Sequence, residues 1–303
     1  MLHVQHLSKR YKHKLAVADL SFSVGHGAIV GLLGPNGAGK TTTLAMITHI
    51  IKPDAGTITI DGVDLEREPH AALRSVGALI ESPALYPYLS AHDHLQVLAR
   101  HANLPTTNLA ELLTQVGLAD VGSQAVGTFS QGMRQRLGIA MALLGKPRLL
   151  ILDEPTVGLD PQGVVEFRQL LRDQASHGTT ILISSHQLAE IQQICDHVII
   201  LNHGKLIADG SVSELLGSGG RVWIKVDGDE TARNYALDLV RTWNGGTKAR
   251  VINGTIDALV EPDQIALLNR FLIQHDVAVA ELRPDAPSLE DFFLGITRLE
   301  AEG

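Results

Sequence analysis

An α/β fold built around a phosphate-binding loop is predicted by three observations. A glycine-rich loop, 34–42 (GPNGAGKTT), stands between the apolar run 28–33 and a helix-forming run that starts near Lys40. Two more continuous apolar runs, 149–152 and 180–184, read as strands buried on both faces of a parallel sheet. Short alternating runs before residue 60, such as Leu2, Val4, Ile58 and Ile60, suit an antiparallel β region beside that sheet.

The loop comes first in the chain and carries the chemistry. Gly34, Gly37 and Gly39 permit turns that a Cβ blocks, so successive backbone N–H groups can point at phosphate oxygens. Lys40 can reach the β and γ phosphates, Thr41 offers a hydroxyl to Mg²⁺, and the following helix adds its positive end. Asn36 and Thr42 are counted with these nucleotide-contacting residues. The motif therefore predicts binding of a nucleoside triphosphate. From about 90 to 145 the spacing of Leu95, Leu98, Leu112, Leu113 and Val116 predicts a helical subdomain, and a helix over 163–176 joins the two later strands.

The Gly-rich break at 217–220 predicts a domain boundary, dividing the chain into 1–216 and a small α+β domain over 221–303. The latter reads as strand 221–227, helix 231–244, strands 247–252 and 255–260, helix 262–275, strand 277–283 and a last helix from about 289. This βαββαβ order suggests a ferredoxin-like domain. Asn253-Gly254 marks a hairpin between its middle strands. Ser288 and Asp291 resemble a capping box for the last helix, whose apolar face, Leu289, Phe292, Phe293 and Ile296, is expected to pack on the same protein.

Composition bounds the function. With 303 residues, 45% of them hydrophobic and 19% charged, the chain can bury a large core. No apolar run approaches the ~20 residues needed to cross a bilayer and no signal-peptide pattern opens the sequence, so a membrane role must come from a partner. The net charge of −8 argues against sequence-independent nucleic-acid binding. Cys195 is the only cysteine, which excludes an internal disulfide and suits the cytosol; in its apolar surroundings it reads as a core residue.

A phosphate loop serves many unrelated enzymes, so its acidic counterpart decides more. It lies at 149–155, LLILDEP: a buried strand ends in Asp153, placed to hold Mg²⁺, and Glu154, placed to accept a proton from an attacking water. Between the two motifs, 129–137 (FSQGMRQRL) resembles the signature motif of ATP-binding cassette (ABC) proteins. Gly158-Leu159-Asp160 looks like that family's D-loop, Ser184-Ser185-His186 like its switch histidine, and Tyr11 like the aromatic residue that stacks on adenine.

Over residues 1–216 the chain thus resembles the nucleotide-binding subunit of an ABC transporter, a P-loop NTPase. The resemblance implies Mg²⁺-dependent ATP hydrolysis, with Glu154, His186 and Lys40 at the reaction and Asp160 in the site. It implies a head-to-tail dimer with a second copy or a homologous subunit, in which Ser130 and Gly132 contact the γ phosphate across the interface. It also implies integral membrane permease subunits, hence a cytoplasmic position on the inner face of the cell membrane. Phe129, Gln131 and Met133 depart from the usual signature, which bears on how strongly ATP drives dimerisation.

One segment points more narrowly. In 76–87 (VGALIESPALYP), Glu81 stands where the family usually has a γ-phosphate-sensing Gln. With Ser82, Pro83 and Tyr86, this resembles transporters that protect bacteria against lantibiotics and bacitracin-like peptides. A carboxylate near Asp153, Glu154 and a triphosphate meets like-charge repulsion unless it approaches Mg²⁺ or carries a proton, so Glu81 joins Thr41 and Asp153 as a candidate metal residue; the alternative is a tolerated isostere of Gln. Other cargoes (another drug, a lipid or a polysaccharide) stay open, because membrane subunits read the cargo. A soluble cassette ATPase of translation or DNA repair is the rival class; its usual second cassette or long coiled coil is not in this sequence. An intact Asp153-Glu154 pair argues against a module that binds ATP without hydrolysing it.

Overall fold

Residues 1–216, 220–245, 247–285 and 288–294 are described by the computed structural model. In chain order, the first part contains β1 (Leu2–Tyr11), β2 (Lys14–Val24), β3 (Ile29–Leu33), α1 (Lys40–Ile47), β4 (Ala55–Ile60), β5 (Val63–Asp64), α2 (Pro69–Leu73) and β6 (Val76–Leu79). Then come α3 (Ala91–His101), α4 (Leu109–Gln115), α5 (Gln131–Leu143), β7 (Leu149–Asp153), α6 (Pro161–Ser176), β8 (Thr180–Ser185), α7 (Leu188–Ile194), β9 (His197–Asn202) and β10 (Lys205–Ser211). The remainder is α8 (Val212–Leu216), β11 (Arg221–Val226), α9 (Glu230–Thr242), β12 (Ala249–Ile252), β13 (Thr255–Leu259), α10 (Ile265–Gln274) and β14 (Val279–Asp285). The chain divides into two compact units, Met1–Ser211 and Val212–Gly303.

The central sheet has strand order β10-β9-β3-β8-β7-β6, parallel except for β10. Every residue of β3, β7 and β8 is buried, which is why these strands read as unbroken apolar runs. Burying each Leu or Ile there contributes about 1.5–3 kcal/mol. The antiparallel sheet β2-β1-β4-β5 shares one core with it: Leu2, Leu20 and Ile60 cluster with Leu32, Ile151 and Leu182. Because β3, β6, β7 and β8 are parallel, their carboxyl ends lie along one edge. Leu33 pairs with Ser185, Asp153 with Ser184, and Leu79 with Leu152. The loops that follow these strands therefore gather in one place, as open α/β sheets require of a ligand site.

The helical subdomain is α3, α4 and α5. Ser90 and Asp93 form a reciprocal capping box at the start of α3, and Leu95, Leu113 and Leu137 are buried. The helix expected over 163–176 begins at Pro161, because Asp160 caps it and a proline is favourable at a first helical position.

In the second unit the strand order is β12-β13-β11-β14 with all neighbours antiparallel, the split βαβ arrangement of a ferredoxin-like domain. Val222, Ile224 and Ile256 form its core with Leu237, Val240, Leu268 and Leu272 of α9 and α10. Asn253 (φ 49°) and Gly254 (φ 79°) make the hairpin turn between β12 and β13, both in the left-handed region that such turns need. The helix expected over 262–275 is α10 preceded by a 3₁₀ turn at Pro262–Gln264. Ser288 Oγ accepts from the Asp291 N–H at 3.1 Å and donates to its carboxylate, so the expected cap is present. Leu289 is buried, while Ile296 of the expected apolar face and residues 217–219 of the expected break lie outside the described residues. Among the described residues no helix is long and apolar enough to cross a membrane.

Candidate functional site

β3 delivers the chain into the loop 34–39, and two glycines there have no substitute. Gly34 has φ 149°, and a Cβ on it would lie 2.2 Å from the Leu201 carbonyl oxygen; at Gly39, φ 102°, it would lie 2.5 Å from that of Ala16. The backbone of β2 and β9 thus presses on the loop from outside. Asn36 is exposed at its crest. Gly39 caps α1 without any side-chain partner, and no acidic residue follows in the first turn, so the helix N-terminus keeps its N–H groups for an anion. Thr43 spends its hydroxyl on the Gly39 carbonyl at 2.9 Å. Thr41 and Thr42 are half-buried in the first turn. Lys40, only 6% exposed, donates to the Gly34 carbonyl at 2.8 Å and stands 3.5 Å from Glu154 Oε1.

Asp153 ends β7 almost fully buried, and the Ser184 hydroxyl of β8 donates to its Oδ1. The same hydroxyl accepts from the Glu154 N–H at 3.1 Å. Glu154 takes φ 47°, a left-handed conformation that costs an L residue about 1–2 kcal/mol. There its Oε2 lies 2.8 Å from His186 Nδ1 and its Oε1 faces Lys40. An ionised carboxylate only accepts, so His186 carries a proton on Nδ1. The structure therefore joins Lys40, Glu154, His186 and Asp153 through direct contacts and one shared serine. Sequence alone gives Ser184 no role of its own; the signal is its parallel register opposite Asp153.

The signature and D-loop segments are joined to the same turn. Ser130 caps α5, accepting from the Met133 N–H at 3.2 Å. Gly132 backs onto Gly158: a Cβ on it would lie 2.9 Å from the Gly158 carbonyl oxygen. The buried side chain of Gln135, also unassigned from sequence, donates to the Pro155 carbonyl at 3.1 Å, one residue beyond Glu154. Asp160 caps α6 by accepting from the Gly163 N–H at 2.9 Å. Arg136 donates to the Val116 carbonyl at 3.2 Å and to Glu166 at 2.8 Å, and this hydrogen bond, helped by Gln162, holds the Glu166 carboxyl below the usual range.

Tyr11 ends β1 47% exposed, with the Lys9 ammonium 5.8 Å from its ring centroid. Glu81 lies two residues beyond β6, exposed, with φ 59°. Neither makes a hydrogen bond or ion pair with Lys40, Glu154 or His186, and Ser130 does not either. The segment after Glu81 is fixed by His94, which is buried: its Nε2 accepts from the Tyr86 N–H at 2.9 Å and its Nδ1 donates to the Ser90 carbonyl at 2.9 Å. That leaves the rings of Tyr86 and Tyr88 exposed, 5.9 Å apart. Cys195 is buried, and burial pushes its thiol well up, as befits an inert core residue.

The donor set fits Mg²⁺ in a particular way. Among the described residues no cluster of three or more His, Cys, Asp or Glu could cage a metal. A hydroxyl and a single buried carboxylate suit an ion that keeps waters and takes phosphate oxygens.

Comparison with known proteins agrees with this geometry. Residues 17–157 match the family described as ABC transporter. The bacitracin transport ATP-binding protein of Bacillus licheniformis is 38% identical over 291 residues, 95% of this chain and 94% of that protein. The linearmycin resistance ATP-binding protein of Bacillus subtilis (strain 168) is 33% identical over 305 residues, 98% of each. A solved ATP-binding subunit of an ABC transporter aligns with a TM-score of 0.65 at 34% identity, covering 71% of this chain and 91% of that one. With relatives this similar along its whole length, and with the phosphate loop and the acidic strand end side by side, the chain belongs to the ATP-binding subunits of ABC transporters, which are ATPases.

Proposed function

We propose that this subunit hydrolyses Mg-ATP through Glu154 and uses the cycle to drive a membrane permease that clears a peptide antibiotic. The observation that carries the catalytic part is the position of Glu154, held between Lys40 and His186 at 3.5 and 2.8 Å beside the phosphate loop. Lys40 and the open N-terminus of α1 hold the triphosphate, with Gly34, Asn36, Gly37, Gly39 and Thr42 lining the loop. Thr41 and Asp153 are the residues that would hold Mg²⁺. Held there, Mg²⁺ would neutralise charge on the triphosphate. Glu154 takes the proton of a water as its oxygen bonds to the γ phosphorus; the bond from that phosphorus to the bridging oxygen breaks, and ADP leaves. His186 orients Glu154, and Tyr11 offers its free ring face to adenine.

The second half of each ATP site comes, in this reading, from the Ser130–Gly132 segment of a second copy or a homologous subunit, with Asp160 beside it. The permease docks on the segment from Glu81 to Tyr88 at the inner face of the membrane, and Glu81 couples the nucleotide to that contact. The peptide cargo is supported by the Glu81 segment and by the name of the bacitracin relative; the linearmycin relative favours another antibiotic as the second reading. Purifying tagged Glu154→Gln protein from native membranes with ATP, followed by mass spectrometry, tests the assignment. A multi-spanning membrane protein is the expected partner, and soluble or ribosomal partners alone would refute the transporter role.

A further inference from the structure

The first residues of β2 lie against the phosphate loop. A Cβ on Gly39 would lie 2.5 Å from the Ala16 carbonyl oxygen and 3.3 Å from Val17 Cγ2, so the start of β2 is in contact with the loop. Two residues before Ala16, the Lys14 ammonium stands 3.8 Å from the point that a Cβ on Gly37 would occupy, and no other group from elsewhere in the chain comes within 4 Å of that point.

Lys14 stands there without a counter-charge. Among the described residues no carboxylate lies within ion-pair distance of it, whereas the loop's own lysine, Lys40, is paired with Glu154 at 3.5 Å. An unpaired ammonium beside a loop that leads into the uncapped N-terminus of α1 adds to the positive potential there. Lys40 already shares its charge with Glu154, so a second cation has work to do when a polyphosphate arrives. Lys14 is also the cross-strand partner of Tyr11, which puts an aromatic face and an ammonium on the same hairpin end.

We propose that Lys14 is a second phosphate-holding lysine of this site, binding the polyphosphate of a nucleoside di- or triphosphate from the solvent side while Lys40 holds it from the buried side. This rests on the nucleotide-site reading above. It makes the β1–β2 hairpin a clamp with two functions, base stacking at Tyr11 and charge at Lys14.

Equilibrium binding of ATP, ADP and adenosine to the full chain with Mg²⁺ tests this in Lys14→Ala, Lys14→Met and Lys14→Arg. The Ala and Met variants should weaken ATP and ADP by about tenfold, the scale of a charge-assisted contact, while Arg restores most of it. Adenosine binding should be the same in all four proteins, and the salt dependence of ATP binding shallower in Ala and Met. Unchanged ATP and ADP affinity in both of those variants would overturn the inference, as would an equal loss for adenosine, which would mean that Lys14 only shapes the hairpin. A wild-type chain that bound neither ATP nor ADP would instead defeat the site reading itself, so the two failures are distinguishable.

Discussion

Asp153 and Glu154 are neighbours in sequence, yet a single hydroxyl, that of Ser184, touches both: it donates to the Asp153 carboxylate and accepts from the Glu154 N–H. The serine fixes the point at which the chain turns from extended strand into the left-handed conformation of Glu154, and so separates two carboxylates into two positions. Ser184→Ala removes both bonds and leaves a buried carboxylate short of a donor, which costs about 1–3 kcal/mol or more. The expected result is a lower melting temperature together with a reduced kcat for ATP, measured by denaturation and by phosphate release.

Gly34 and Gly37 make a contrasting pair. A side chain at Gly34 would collide with the Leu201 backbone at 2.2 Å, whereas the space at Gly37 is open apart from Lys14. Gly37→Ala should cost about 1–2 kcal/mol for its left-handed backbone alone. Gly34→Ala should cost clearly more, because the carbonyl of β9 cannot yield without disturbing the sheet. Denaturant unfolding of the two variants gives the comparison, and equal losses would contradict it.

Glu166 sets an acid-sensitive latch. Its hydrogen bond from Arg136 holds its folded pKa below the usual glutamate range, so the stabilisation is present above that range and is lost as pH falls through the folded pKa. The carboxylate is about half exposed, which limits the effect to about 1 kcal/mol or less. Glu166→Gln should therefore be less stable than wild type near neutrality, with the gap closing in acid. A gap that stayed constant from pH 7 to pH 3 would show that the charge plays no part.

Glu81→Gln should reduce antibiotic protection of cells carrying the transporter by more than it reduces ATP hydrolysis by the purified subunit. The carboxylate is exposed beyond β6 and outside the contact group of Glu154, so its effect is expected on coupling. Paired resistance assays and phosphate-release rates decide the point; equal protection by both forms would reduce Glu81 to an isostere of Gln.

What the sequence made legible is contiguous. The residues 34–42 and 149–155 each carry strand, turn and chemistry in one segment, and apolar runs show that the strands are buried on both faces. The order of the ferredoxin-like strands was readable because Asn253-Gly254 pins one hairpin. Ser184, Gln135 and Lys14 were not legible in their roles, since each acts on a residue at least 20 positions away, and only strand register or helix packing brings them together. The left-handed φ of Glu154 was hidden for a different reason: glutamate gives no local signal for it, and the Ser184 contact imposes it from the next strand. Asp160 and Ser130 show the reverse, carrying helix-capping work that the family resemblance did not mention.

The most direct test of the account is the ATP hydrolysis rate of Glu154→Gln at saturating Mg-ATP, measured beside its ATP affinity. The rate is expected to fall by about 10²-fold or more, the contribution of a positioned general base, while ATP still binds. Hydrolysis at the wild-type rate would contradict the assignment of Glu154 as the base and with it the mechanism built on its contacts to Lys40 and His186.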